Sequence, residues 1–375
     1  MSRTERPLVD NRESEGRREV NAAHPDMTYK DRLKKVSIAV ARSGIDGVVV
    51  SKRHDIEYLT GFFSEGAMLF VSVQEAPVYF IDRMNENLAR RELEGTGIHV
   101  TAGRVLKDLS AYFRKRRIRK VGIYREDITV SVYCSLFRSN RKWKAVQAPD
   151  VINTMRVLKD DGEIAVLRAA GRETAKIWRD VRGKILPGVT EREIAVMIDA
   201  NIRGRGSALS FPTIAAVGVN TQDPHAVPTD RRLRAGEHAL LDFGVRKRGY
   251  CSDLTRIWVK GRMNRKIREL RKCVDLVHDD AIRRAAPGVK AGSLAKRAQE
   301  AFVAAGLGKY IYHGLGHGVG LDIHEPPFLR IESTVRLKKG MVVTIEPGLY
   351  IPGLGGIRKE DTLLITSKGS EVLTR

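Results

Sequence analysis

"LPGVTEREIA", residues 186–195, returns one hundred positions later as "APGVKAGSLA", residues 286–295. Each stretch is a Pro-Gly turn between two helical patterns. Proline fixes φ and removes a donor, and glycine accepts the turn that follows. About 50 residues after each comes an apolar run that closes on an acid: "HALLDFG" (238–244) reaches Asp242 and "MVVTIEPG" (341–348) reaches Glu346. Two similar halves packed together would bring those acids into one cleft. The second part of the chain is therefore expected to be α+β, with two pseudo-equivalent halves.

Upstream the pattern differs. "DRLKKVSIAVARSGIDGVVVSKRHDIEYLTGF" reads as helix, turn and buried strand. Leu33, Val36, Ile38 and Val40 are predicted to line one helix face, Gly44 ends the helix, and Val48-Val49-Val50 is a strand. "AMLFVSV", "APVYFIDR" and "KVGIYRE" read as strands and "NENLARRELEG" as a helix. The alternation predicts a smaller α/β domain. A long helix is predicted from about 160 to 183, begun by Lys159-Asp160-Asp161-Gly162 with acids in its first turn. The expected division is a charged arm (1–25), an α/β domain (26–155) and the repeated domain (156–375).

Composition narrows the class. At 375 residues the chain suits two domains, and 42% apolar with 30% charged residues is the balance of a folded soluble protein. Runs such as "DGVVVS" fall far short of the roughly 20 residues a membrane helix needs. The N-terminus carries no apolar signal core, and three distant cysteines give no disulfide framework; a cytoplasmic location is expected. The net charge is +22, densest in "RKRRIRK" (114–120). No aromatic-rich binding motif or zinc-finger spacing accompanies that run, so it reads as a solvated face, and neither nucleic acid nor membrane is an expected partner.

Four segments concentrate titratable chemistry. "YHGLGHGVGLDIHEPPF" (312–328) alternates glycines with His313 and His317. It lacks the spacing of a phosphate loop, and its glycines oppose a helix that would make the histidine pair a zinc motif. An extended segment fits better: period two puts His313 and His317 on one side, with glycines opposite leaving clearance for a ligand or another backbone. "LLDFGVRKRGYCSDLTR" holds Asp242 and Asp253 around a turn at Gly249, which reads as a hairpin. Glu346 ends one apolar strand, and Glu360, in "GGIRKEDTLLIT", precedes another. One strand-end acid is usually a turn cap. Four beside a glycine-lined imidazole need cations, because buried like charges repel. An oxygen-dominated set suits a pair of divalent ions such as Mn²⁺, Co²⁺, Fe²⁺ or Zn²⁺. His225, in "DPHAVPT", and His324, in "LDIHEPPF", are loop histidines able to bond a substrate carbonyl or pass a proton.

These motifs, with "PHAVPTDRRLRAGE", "TIEPGLY" and the "YLTGF" at 58–62, resemble the pita-bread metallopeptidases, and among them the Xaa-Pro peptidases of prolidase and aminopeptidase P type. The resemblance covers about residues 28–375. It implies a creatinase-like N-terminal domain and a pita-bread catalytic domain. It also implies two divalent ions, manganese first, with cobalt, zinc or iron as alternatives. By that resemblance Asp242 binds one metal, Asp253 and Glu360 bridge both, and His317 and Glu346 bind singly. Glu346 is also a proton acceptor, His225 and His324 serve substrate and catalysis, and His313 and Arg358 lie in the substrate site. The implied reaction is hydrolysis of an N-terminal Xaa-Pro bond in a small peptide, carried out by a homodimer. Lys359 stands where an apolar residue is usual, and is expected to point away from Glu360. Ile257-Trp258 also departs from the family's commoner pair. A metal-dependent C–N hydrolase or lyase of the same fold, acting on a small non-peptide, is the alternative; a non-catalytic binding module is disfavoured by the intact ligand set.

Overall fold

The computed structural model describes residues 27–138 and 142–375. The expected arm at 1–25 lies outside them. The chain forms two compact units, one running to Val151 and including Asp160–Gly162, the other formed by Ile152–Lys159 with Glu163–Arg375.

In the first unit, β1 (Gly47–Val50), β2 (Met68–Ser72), β3 (Val78–Asp82), β4 (His99–Gly103), β5 (Lys120–Ile123) and β6 (Lys144–Gln147) form one mixed sheet. Its order is β4-β3-β2-β1-β5-β6. β1 is central and buried along its whole length, as its unbroken apolar run requires. Helix Tyr29–Arg42 starts at a capping box made by Thr28 and Asp31. It buries Leu33, Val36 and Val40, but Ile38 is 43% exposed. That corrects the expected face: at 100° per residue Ile38 falls about 140° round the helix from Leu33. Aromatic packing fills the side covered by helix Val105–Lys115, with Phe113 against Phe70 at 5.1 Å and against Trp143 at 5.5 Å between ring centroids. The six cationic residues of 114–120 are exposed.

The second unit is built from two like halves. In the first, helices Asp161–Arg182 and Glu191–Arg203 cover a sheet whose strands are β8 (Ile214–Val217), β9 (His238–Phe243) and β12 (Leu254–Val259). The short strands β7 (Ala208–Leu209), β10 (Val245–Lys247) and β11 (Tyr250–Cys251) make a side sheet. In the second half, helices Arg265–Arg284 and Ala291–Ala304 cover five antiparallel strands in the order β14-β13-β15-β18-β19. These are β13 (Gly316–Gly318), β14 (Glu325–Leu329), β15 (Val342–Ile345), β18 (Asp361–Ile365) and β19 (Ser370–Val372), with a hairpin of β16 (Gly348–Ile351) and β17 (Gly355–Arg358) between β15 and β18. Ile177, Val181, Ile194 and Ile198 pack the first half onto Ala239, Leu241 and Phe243. Val274, Leu294 and Phe302 pack the second onto Val343, Ile345 and Leu363. Each such side chain stabilises by roughly 1.5–3 kcal/mol.

The repeat in the sequence is a repeat in the backbone. The Gly188 amide donates to Leu233 O at 2.8 Å, and the Gly288 amide to Leu337 O at 2.8 Å. The Arg232 guanidinium donates to Gly188 O, and that of Arg336 to Gly288 O, both at 2.7 Å. Isolated bridges pair Thr190 with Arg232 and Lys290 with Arg336. Nine residues beyond Leu233 stands Asp242, and nine beyond Leu337 stands Glu346. The two acids hold equivalent places at the ends of equivalent strands.

Candidate metal centre

β9 and β12 pair antiparallel, with Asp242 opposite Thr255, and the β10–β11 turn at Arg248-Gly249 brings the chain back. Asp253 stands two residues before Thr255, at the mouth of that return. In the other half β15 pairs with β18, Ile345 opposite Asp361, so Glu346 and Glu360 stand just beyond the same end of the pair. His317 is the middle residue of β13.

β13 can approach its neighbours only because its flanking residues lack side chains. A Cβ at Gly316 would lie 2.1 Å from Thr344 O, and one at Gly318 would lie 2.3 Å from Pro326 O. The clearance expected opposite the imidazoles is thus filled by the backbones of β15 and the segment 325–326.

Side chains of Asp253, His317 and Glu360 offer ligand atoms within 4.8 Å of one another, all buried. Glu346 adjoins them, its Oε1 3.3 Å from His317 Nε2. The His317 Nδ1–H donates to Gly318 O at 3.1 Å, which leaves Nε2 facing the acids. Asp242 stands outside the triplet, its Oδ2 taken by the Arg358 guanidinium. Arg358 also donates to Thr255 Oγ1 at 3.0 Å and to Tyr350 Oη at 2.7 Å, and Thr255 Oγ1 donates to Glu360 Oε2 at 2.6 Å. Arg358 is 3% exposed and each of its three nitrogens has a protein partner. Its guanidinium holds Asp242 and the Tyr350 hydroxyl in place. His313 joins the same chain of bonds through Tyr350 Oη at 2.8 Å.

The electrostatics are those of a cage short of positive charge. Burial, then the charges of Glu360, Asp242 and Glu346, push Asp253 well above the usual carboxylate range. Burial, then Glu346 and Asp242, do the same to Glu360. Burial also raises Asp242, against the pull of Arg358. Burial alone would raise Glu346 too, but the hydrogen bond and charge of His317 win and hold it at about 2. Burial alone would lower His317, and the same bond to Glu346 turns the net shift upward. Asp242 Oδ1, Asp253 Oδ1 and Glu360 Oε1 are buried without a hydrogen-bond partner. Three orphaned carboxylate oxygens in one place are costly unless a cation meets them. An oxygen-rich set with one imidazole fits hard to borderline divalent ions, so the residues present fit the metal centre the motifs imply.

His324 is exposed, with its ring 4.3 Å from that of His317 in an edge-to-face pair. His225 is exposed too; its loop is tied to the site by the Arg358 guanidinium, which donates to Pro224 O at 3.3 Å. Lys359 turns away from Glu360 and reaches Asp279 at 2.9 Å and Asp275 at 3.4 Å on helix Arg265–Arg284. Sequence reasoning passed over Thr255 and Tyr350. Their signal was present, a hydroxyl inside each of the quoted motifs "CSDLTR" and "TIEPGLY", but nothing in the spacing marks which hydroxyl turns inward.

The model for metallopeptidase family M24 matches residues 165–367, and the creatinase/prolidase N-terminal domain matches residues 32–158. The chain belongs to metallopeptidase family M24. It is a metallopeptidase, and its second unit has the family's pita-bread fold. A Xaa-Pro dipeptidase of Pyrococcus furiosus is 32% identical over 348 residues, covering 92% of this chain and 98% of that protein. Among solved structures, a Xaa-Pro dipeptidase from Bacillus anthracis is similar with a TM-score of 0.87 at 28% identity, covering 93% of this chain and 98% of the other. An X-Pro aminopeptidase from Thermotoga maritima gives 0.80 at 27% identity, covering 88% and 96%. M24 peptidases depend on metal, which agrees with the caged acids. Among the described residues no helix is long and apolar enough to cross a membrane.

Proposed function

We propose that the chain is a dinuclear-metal-dependent hydrolase that cleaves the Xaa-Pro bond at the N-terminus of dipeptides or short peptides. One observation carries the reading: Asp253, Glu360 and Glu346 converge on His317, and one oxygen each of Asp242, Asp253 and Glu360 is buried without a partner. The names of the related enzymes supply the substrate class. Asp242, Asp253, His317, Glu346 and Glu360 would hold two divalent ions, manganese first among manganese, cobalt, zinc and iron. Such ions, when bound, lower the pKa of a shared water and polarise the scissile carbonyl.

The chain's own residues do the rest. The Glu346 carboxylate stays ionised beside His317 and would accept a proton. His225 and His324 would donate hydrogen bonds where negative charge develops on the substrate carbonyl oxygen. The bond before proline is a tertiary amide whose nitrogen must gain a proton to leave, and an exposed imidazole is suited to deliver it. The Tyr350 hydroxyl, fixed by Arg358 and His313, shapes the wall beside Glu346. A homodimer in the cytoplasm completes the proposal; three cysteines without disulfide partners support the compartment.

The test is hydrolysis of Gly-Pro, Ala-Pro and a longer Xaa-Pro peptide by metal-stripped protein given Mn²⁺, Co²⁺ or Zn²⁺. Metal-dependent turnover supports the reading. Bound metal without turnover of any peptide refutes it and favours a C–N hydrolase or lyase of a small non-peptide.

A further inference from the structure

A quartet of charges, three buried and Asp322 half-buried, lies outside the metal centre. Lys159 Nζ meets Glu325 Oε1 at 2.7 Å, and the Arg156 guanidinium bridges Glu325 Oε2 at 2.5 Å and Asp322 Oδ2 at 2.7 Å. Side-chain exposure is 1% for Lys159, 4% for Arg156 and 5% for Glu325. The quartet is neutral overall, the condition under which buried charges persist. Its acids flank His324 in the segment 320–325. Gly320 makes room for the arrangement, since a Cβ there would lie 2.3 Å from Glu325 Oε1. The Asp322 amide turns onto Glu325 Oε2 at 3.4 Å, and the Gly320 amide donates to Asp322 O at 3.1 Å. On the other side, the Lys159 amide donates to Gly340 O at 2.9 Å, beside the start of β15, the strand that leads to Glu346.

His324 itself is exposed, and the ring of His317 is the neighbour its own ring packs on. An imidazole that must meet a substrate cannot be held by burial, so its direction has to come from its backbone. Glu325, the next residue, is buried and gripped from two sides by cations. We propose that Arg156, Lys159, Glu325 and Asp322 form a clamp that sets the direction of His324 without touching substrate or metal. They are positioning residues. The inference rests on the substrate role given to His324 above.

Deleting one member would leave a buried charge alone and endanger the fold. The test is therefore the neutral quadruple variant Arg156→Met, Lys159→Met, Glu325→Gln, Asp322→Asn, checked for unchanged melting and unchanged metal content. A neutral replacement that preserves folding is common for buried ion pairs. The direct readout is the His324 ring signal in ¹³C-histidine NMR spectra of the protein loaded with diamagnetic Zn²⁺, with His238 as the control. The clamp predicts that the His324 signal shifts or broadens while that of His238 holds. An unmoved His324 signal overturns it whatever the enzyme's substrate. The kinetic readout is a double-mutant cycle with His324→Ala on an Xaa-Pro peptide. The quadruple variant should lose roughly ten- to hundredfold in kcat/KM. In the His324→Ala background the same change should cost less than threefold, and equal losses in both backgrounds overturn the clamp. Failure of the wild-type protein to turn over any Xaa-Pro peptide would refute the proposed substrate and leave the NMR result to judge the clamp.

Discussion

Asp253→Asn should make the protein more stable without metal and less stable with it. The substitution keeps the shape of the side chain and removes one negative charge from the cage. A ligand oxygen of Asp253 and one of Glu360 lie within 4.8 Å. Two ionised groups at that separation repel by about 3 kcal/mol at an effective dielectric of about 20. Metal-stripped protein escapes part of that cost by binding protons, because burial and the neighbouring acids hold Asp253 well above the usual range. The sign follows. As pH rises past the ordinary aspartate value toward the raised folded one, the unfolded chain gives up its proton first, and the folded wild type loses stability. Asparagine never ionises, so the variant's advantage grows with pH, toward about 3 kcal/mol. With metal bound the order reverses, since the variant has lost a ligand. The assay is thermal melting of chelator-treated protein at pH 6, 7, 8 and 9, repeated with saturating Mn²⁺. A variant that melts below wild type at pH 8 without metal, or that gains as much as wild type from Mn²⁺, would refute the charge-cage argument.

Two further outcomes follow from the same geometry. His238 is buried, and burial lowers it to about 4 despite its bond to Gly356 O. A histidine kept neutral in the fold loses stability as pH falls from about 6.5 to about 4, by about 3 kcal/mol in all; His238→Gln should flatten that slope in denaturant titrations, and an unchanged slope would count against it. Gly316→Ala would place its Cβ 2.1 Å from Thr344 O, so it should cost about 2 kcal/mol or more and weaken Mn²⁺ binding measured by calorimetry, because His317 rides on the same strand.

The sequence by itself determined more of the site than of its wiring. The duplicated Pro-Gly turns and the apolar run closing on an acid about 50 residues past each are local patterns, and local patterns survive in a one-dimensional reading. So did the hairpin between Asp242 and Asp253, because turn chemistry at Gly249 sets its register. The face of helix Tyr29–Arg42 was read one residue too generously, since Ile38 is apolar whether or not the helix turns it inward. Folding alone decided which acids keep a partner. Arg358 reaches Asp242 across 116 positions, and Lys159 and Arg156 reach Glu325 across 166 and 169. No spacing rule announces such pairs, because what selects them is the cost of leaving a charge alone in the interior, and the interior exists only once the two halves have closed on each other.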